Sequence, residues 1–305
     1  MNIELMKNLC MMNQQKLYKY LYKYLCGKYG ISKVITNADD EWMIAIGEDP
    51  VIVCAHLDTV FNEPPINIFV DKDARVMWAP KGLGADDRAG VYAIMTLLMD
   101  GYKPTVIFTT GEEIGCIGAI SLINNFASCP VEGIKCIIQL DRRGCTDAVY
   151  YACKNKQFED WVSLYGFSTE QGTFTDISVI CPNWGIAGVN LSVGYYNEHT
   201  KQEFLRYNEL EYTIWNVQKM IKDLRALDEE FIYVKDPNQT GWYNYIVPSC
   251  DFCGTPLNKM YYQMHDGGYT YSLCENCIKY YDNMVGFKDH PRDSNEEDFH
   301  IFSPI

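Results

Sequence analysis

The sequence has no apolar run of the roughly 18 residues that a membrane-spanning helix needs, which excludes a chain built from such helices. Met1 to Gln15 has neither a continuous apolar core nor a small-residue cleavage site, so no secretory signal is expected there. Positive charge is scarce: 26 Lys and Arg stand against 40 Asp and Glu, a formal net charge of −14. So acidic a chain is a poor general partner for nucleic acid or an anionic membrane, and neither is expected to bind. The bland reading of the charge is solubility. The basic, amphipathic segment Asn13 to Tyr29 is expected to pack on the rest of the chain rather than on a membrane. An even set of paired cysteines is also missing. The 13 cysteines are odd in number, and Cys54, Cys136 and Cys181 sit inside apolar runs, which reads as buried reduced thiols in a cytoplasmic protein.

What is present is ordinary globular material, 48% hydrophobic and 22% charged over 305 residues. That length suits one catalytic domain of about 200–250 residues plus a small module. Leu17, Leu21 and Leu25 predict a helix over 13–29, with Gly27 as a candidate terminator. Val51–Ala55, Thr105–Thr109, Cys136–Leu140 and Val189–Ser192 read as strands, and Ala89–Met99 and Leu210–Leu227 as helices. Runs such as Val51 to Ala55 are apolar on both faces, as in central strands covered by helices. The expected fold class is α/β: a three-layer α/β/α sandwich with a mostly parallel mixed sheet, plus a small module. The expected divisions are a catalytic domain over 1–235, a turn-rich linker over 236–247, a four-cysteine module over 248–282 and a polar tail over 283–305.

Five clusters of candidate chemistry stand out, most of them just after an apolar run. His56-Leu57-Asp58 places an imidazole and a carboxylate two residues apart on extended chain, pointing to one side, as suits a metal ligand and the acid that orients it. Gly82 to Gly90 runs into a helix, and its paired Asp86 and Asp87 would repel a phosphate and attract cations. Glu112 and Glu113 point in different directions, so that one can bind metal while the other faces a water. Asp141 and His199 complete the set. In an open α/β sheet the ligand site lies beyond the carboxyl ends of the strands, where several of these residues emerge. Each feature alone is common on protein surfaces; their ordered combination is hard to explain that way.

With these residues in view, the chain resembles the co-catalytic two-zinc exopeptidase superfamily. The similarity is greatest to peptidase T-like enzymes, in His56-Leu57-Asp58-Thr59-Val60, Gly84-Ala85-Asp86-Asp87-Arg88-Ala89-Gly90 and Thr110-Gly111-Glu112-Glu113-Ile114-Gly115, and covers roughly residues 40–230. The resemblance implies that His56 and Asp141 bind one zinc, that Glu113 and His199 bind the other and that Asp86 bridges them. It implies a cis peptide before Asp87, Asp58 as the residue that orients His56, and Glu112 as general base. It further implies that the Gly172–Asp176 loop lines the pocket, with Asp176 as a candidate substrate contact; the inserted Phe174-Thr175 departs from the family's simplest pattern. Tyr195 and Tyr196, by their position near His199, are candidates to shape the pocket, Tyr196 as a substrate contact, though core packing explains them equally well. Peptidase T-like enzymes insert a lid and dimerisation domain between the positions of Asp141 and His199. The 57 residues available here, 142–198, are too few for it.

Cys250-Asp251-Phe252-Cys253 and Cys274-Glu275-Asn276-Cys277 are two Cys-x-x-Cys pairs separated by 20 residues, the spacing of a zinc ribbon. They are expected to hold one structural zinc ion. The expected cofactors are therefore two catalytic ions, zinc or else cobalt or manganese, and one structural zinc. The resemblance implies hydrolysis of peptide or related amide bonds, most simply exopeptidase action on small peptides. A deacylase or deacetylase acting on acyl-amino-acid-like substrates and a catalytically inert interaction protein are the alternatives. Association into a homo-oligomer is left open by the sequence.

Overall fold

The computed structural model describes residues 1–237, Cys277 and the backbone of 261–266, 269–273 and 301–302. The chain divides into two compact units, Met1–Thr240 and Gly241–Ile305.

The first unit opens with two helices, α1 (Ile3–Cys10) and α2 (Gln14–Tyr29). Leu17, Leu21 and Leu25 form the buried stripe of α2, and the Asn13 side chain caps its start by accepting from the Lys16 N–H. The helix runs past Gly27 and ends at Gly30, whose positive φ of 91° leaves the helical path. The terminator expected at Gly27 is thus displaced by three residues, because Lys28 and Tyr29 sustain another turn. The edge strand β1 (Val34–Thr36) and its neighbour β2 (Trp42–Ala45) follow, then β3 (Asp49–His56). A small hairpin, β4 (Phe69–Asp71) and β5 (Val76–Trp78), precedes α3 (Ala85–Met99), β6 (Pro104–Thr109) and α4 (Ile117–Asn125). Then come β7 (Cys136–Arg142), β8 (Asp147–Val149), α5 (Lys156–Ser163), β9 (Ser168–Glu170), α6 (Asp176–Trp184) and β10 (Gly188–Ser192). The unit closes with β11 (Tyr195–Tyr196), β12 (Phe204–Arg206) and α7 (Tyr207–Ala226).

Eight strands form one sheet in the order β1-β2-β6-β3-β7-β10-β8-β9, and its centre, β6-β3-β7-β10, is parallel throughout. Cross-strand register places Val53 beside Val106 and Ile138, and Asn190 beside Gln139. One face, bearing Val51, Val53, Ala55, Val106 and Ile138, joins the core built with α1, α2, α3 and α7. α4 and α6 pack on the other face, so the first unit is a three-layer α/β/α sandwich. Gly90 lets α3 lie close on the sheet: a Cβ there would stand 1.9 Å from the Leu140 carbonyl oxygen. A second, antiparallel sheet, β11-β12-β5-β4, flanks the first. Residues 142–198 carry β8, α5, β9, α6, β10 and β11 with the short loops between them, which leaves no room for a lid domain. Cys54, Cys136 and Cys181 are buried, and burial pushes each thiol pKa up.

In the second unit β13 (Tyr261–Asp266), β14 (Tyr269–Leu273) and β15 (Ile301–Phe302) form an antiparallel sheet in the order β14-β13-β15. Of the four paired-motif cysteines, Cys250, Cys253 and Cys274 lie outside the described residues.

Candidate metal centre

Because β6, β3, β7 and β10 run parallel, their carboxyl ends open on one edge of the sheet, and the candidate ligands gather there. His56 is the last residue of β3; Glu112 and Glu113 follow β6; Asp141 stands near the end of β7; His199 follows β10 and β11. Asp86 arrives from the start of α3. Asp86 and Asp87 have non-helical backbone angles, and the peptide between them is cis. The helix read as Ala89–Met99 therefore begins earlier by hydrogen bonding, but its regular part begins after the two aspartates.

The two oxygens of Asp86 face different partners. Oδ1 lies 3.1 Å from His56 Nε2, which is in turn 3.4 Å from Asp141 Oδ1. Oδ2 lies 3.2 Å from His199 Nε2, which is 2.9 Å from Glu113 Oε2. The structure thus brings together two sets of three donors, His56–Asp86–Asp141 and Asp86–Glu113–His199, sharing one carboxylate. Glu112 is also within reach of His56 and Glu113.

Buried groups around the donors hold them in place. Asp58 Oδ1 is 3.3 Å from His56 Nδ1, and its two oxygens accept the backbone N–H groups of Glu112 and Glu113. It therefore ties His56 to the loop after β6. Asp141 Oδ2 accepts from Thr175 Oγ1 and Gln139 Nε2, at 2.8 and 2.9 Å, which turns Oδ1 towards His56. Asn190 accepts the Asp141 N–H and donates to its carbonyl. Glu203, fully buried, accepts from the N–H groups of Leu83, Gly84 and Asp86 and so fixes the loop carrying the shared ligand. Asp87 accepts from the backbone N–H of His56 and of Gly90. The Tyr195 hydroxyl donates to the Asp141 carbonyl, and sequence reasoning assigned no role to Glu203, Asn190 or Gln139. No local pattern marks them.

Residues 41–172 match peptidase family M28. No curated protein matches the chain. Among solved structures, aminopeptidase PepT from Bacillus cereus aligns with a TM-score of 0.55 at 16% identity, over 73% of this chain and 98% of its own. A tripeptidase from Staphylococcus aureus aligns with a TM-score of 0.57 at 14% identity, over 73% and 97%. A TET aminopeptidase from a marine sediment archaeon, Thaumarchaeota archaeon, aligns with a TM-score of 0.57 at 16% identity, over 72% and 96%. Over residues 41–172 the chain is thus similar to peptidase family M28, in line with the resemblance to the co-catalytic two-zinc exopeptidases. At these identities the solved structures speak for the fold; the family match adds the segment that carries His56, Asp86, Glu112, Glu113 and Asp141.

The donor set fits cations. An ion with bonds of about 2.0–2.2 Å in tetrahedral geometry separates its ligands by about 3.3–3.6 Å, close to the spacings seen here. Electrostatics agree. Burial pushes the carboxyl pKa of Glu112 well above its usual value, and raises those of Glu113 and Asp141 as well. Burial works against the Asp86 carboxylate too, but contacts with His199 and His56 hold its pKa below the usual range. Contacts to Asp86 and Glu113 push His199 up to about 10. Burial alone would lower the pKa of His56; Asp141 and Asp58 override it and hold it well above its usual value. Acids crowded together out of water take up protons unless metal cations supply the missing positive charge.

A cavity of about 140 Å³ opens on the cluster, lined by Asp86, Glu112, Glu113, Asp141 and His199, with Arg142, Arg143, Tyr151 and Phe174 around them. Gly172 and Thr173 also line it, as expected of that loop, but Asp176 does not. Asp176 is fully buried at the start of α6, where it accepts from Thr109 Oγ1. Tyr196 also stands off the cavity wall, donating to Glu209 and stacked on Phe204 at 5.2 Å. Neither candidate substrate contact is thus among the residues that line this cavity. Thr175 and Asp176 are both fully buried, Thr175 in the capping box of α6 with Ser178, while Phe174 lines the cavity.

Proposed function

We propose that the chain is a two-zinc hydrolase that removes residues from the ends of small peptides, with the N-terminus as the favoured end. The observation that carries this is the position of Asp86, one oxygen in each donor set. His56 and Asp141 would hold one ion, His199 and Glu113 the other, and Asp86 both; cobalt or manganese would suit the same donors. When bound, such ions supply Lewis acidity at the scissile carbonyl and acidify the attacking water towards a pKa of about 7. Glu112 does the proton work: it lines the cavity, takes a proton from the water and passes one to the leaving amine. Asp58 positions His56 and, through its two backbone contacts, the Glu112-Glu113 pair.

Small substrates are favoured by the cavity itself. Arg142 and Arg143 stand on its wall, each anchored, Arg142 by Asp147 and Arg143 by Glu198. Guanidinium groups so placed suit a carboxylate that a short peptide brings close to the reacting bond. N-acyl amino acids carry the same carboxylate, so the deacylase reading shares this support.

The test is metal analysis combined with a panel of dipeptides, tripeptides, their C-terminal amides and N-acetyl amino acids. Cleavage of free peptides that is lost in Glu112→Gln supports the proposal. Preference for the N-acetyl amino acids would move the reading to a deacylase, and no turnover with both ions bound would leave an interaction protein. We further propose that Cys250, Cys253, Cys274 and Cys277 hold a structural zinc, on the strength of their spacing. Full-length protein should then bind three ions, and Cys250→Ser two.

A further inference from the structure

A second cavity, of about 240 Å³, shares no lining residue with the catalytic one. Arg88 lies at its inner end and the first residues of α2 at its opening. Arg88 is 1% exposed, yet no carboxylate is within ion-pair distance of it among the described residues. Its Nη1 donates to the Leu57 carbonyl at 2.8 Å and to that of Asp58 at 3.4 Å, and its Nη2 donates to Met12 at 3.4 Å. Nε has no partner. The neighbouring acids that feel its charge are engaged elsewhere: Asp58 on His56, Asp87 on the backbone of His56 and Gly90, Glu203 on the loop before α3. In a guanidinium the Nε–H and one Nη2–H point the same way, as a fork matched to two oxygens of one anion. On Arg88 the Nε–H of that edge has no partner among the described residues, and Nη2 has only the 3.4 Å contact to Met12.

The other end of the cavity has the same electrical sense. α2 is 16 residues long, with no acidic residue in its first turn. Asn13 caps the Lys16 N–H, while the N–H groups of Gln14 and Gln15 have no acceptor within the helix. An uncompensated helix start of this kind attracts anions. Both residues line the cavity, and the Met12 carbonyl links this helix start to Arg88. The one acid on the wall, Glu63, is exposed. Phe61, Pro64 and Pro65 add an apolar side.

We propose that this cavity binds a small oxyanion, a carboxylate or a phosphate, between the Arg88 guanidinium and the N-terminus of α2. Thr59 and Gly84 line it as well, so an occupant would touch the loops that carry Asp58 and Asp86.

The test uses metal-loaded full-length protein. Crystals soaked in selenate should show an anomalous selenium peak between Arg88 and Gln14, separate from any at the metal centre. Calorimetric titration with inorganic phosphate and with acetate identifies the source, since the tighter of the two marks the group the cavity takes. Arg88 is buried and its replacement could unfold the protein, so the decisive variants are Gln14→Glu and Gln15→Glu on the exposed helix start. Each should weaken binding about five- to tenfold by placing a negative charge there, with a Tm no lower than that of wild type when no anion is present. Selenate at the metal centre alone, binding of neither anion, or equal affinity in wild type and both variants would overturn the proposal.

Discussion

His199 Nε2 stands 3.2 Å from Oδ2 of Asp86, the oxygen that His56 does not face. One carboxylate therefore belongs to both donor sets, and removing it should cost both ions. Asp86→Ala is expected to lose the two catalytic metals together, whereas His199→Ala should lose mainly the one it shares with Glu113. Metal content per chain after gel filtration, with folding checked by circular dichroism, measures this. Retention of both ions by Asp86→Ala would show that the shared carboxylate is not a bridge.

Glu112 is buried, lines the cavity and is not needed by either three-donor set. Glu112→Gln should keep the metal content of wild type and lower kcat by about 10²–10⁴-fold, the usual contribution of a positioned acid–base. A variant that loses metal instead would identify Glu112 as a ligand.

Asp176 gives a pH dependence with a definite sign. Burial pushes its carboxyl pKa from 3.8 up to about 7, although the Thr109 hydroxyl works in the opposite direction. The folded state thus favours the protonated form. The contribution is fully present below pH 3.8 and is lost as pH rises through about 7. In protein stripped of metal by a chelator, wild type should lose stability relative to Asp176→Asn over that interval. Denaturant midpoints of the two proteins at several pH values report the difference; a constant gap would rule the effect out.

Gly90 tests how α3 lies on the sheet. A Cβ at this position meets the Leu140 carbonyl oxygen at 1.9 Å and the Asp87 carboxylate at 2.6 Å. Gly90→Ala should destabilise the protein by at least about 1–3 kcal/mol, the usual cost of overpacking, and should also weaken metal binding, because Leu140 precedes the candidate ligand Asp141. Equilibrium unfolding and metal titration check both effects.

The parts of this fold that the sequence disclosed are those whose burial is symmetrical. β3, β6, β7 and β10 are continuous apolar runs because helices cover both their faces, and such runs stand out without any knowledge of their neighbours. The ligands could be found for a related reason: each follows one of these runs or a glycine-rich turn, in motifs with a recognisable order. Glu203 and Asn190 offered no such signal. Each is a single polar residue whose meaning comes from the backbone groups it meets, over a hundred residues away between Glu203 and Leu83. Asp176 misled for the opposite reason, since its motif is recognisable but the side chain turns into the protein. The short strands β4, β5, β11 and β12, two or three residues each, are too brief for any periodicity to register.

The amino-acid sequence by itself determined which groups are available: two imidazoles and several acids, each placed just beyond an element that must be buried, and four cysteines at ribbon spacing. Chain order alone could not say that β3 would lie between β6 and β7, and that pairing sets His56 beside Asp141 and the Glu112-Glu113 turn. Only tertiary structure decided that Asp86 would turn one oxygen to each histidine, that Asp141 would be held by Thr175, Gln139 and Asn190, and that Arg88 would be buried without a carboxylate of its own. The physical reason is that these are contacts between residues distant in the chain. Backbone pairing and burial bring them together, and no local preference encodes either.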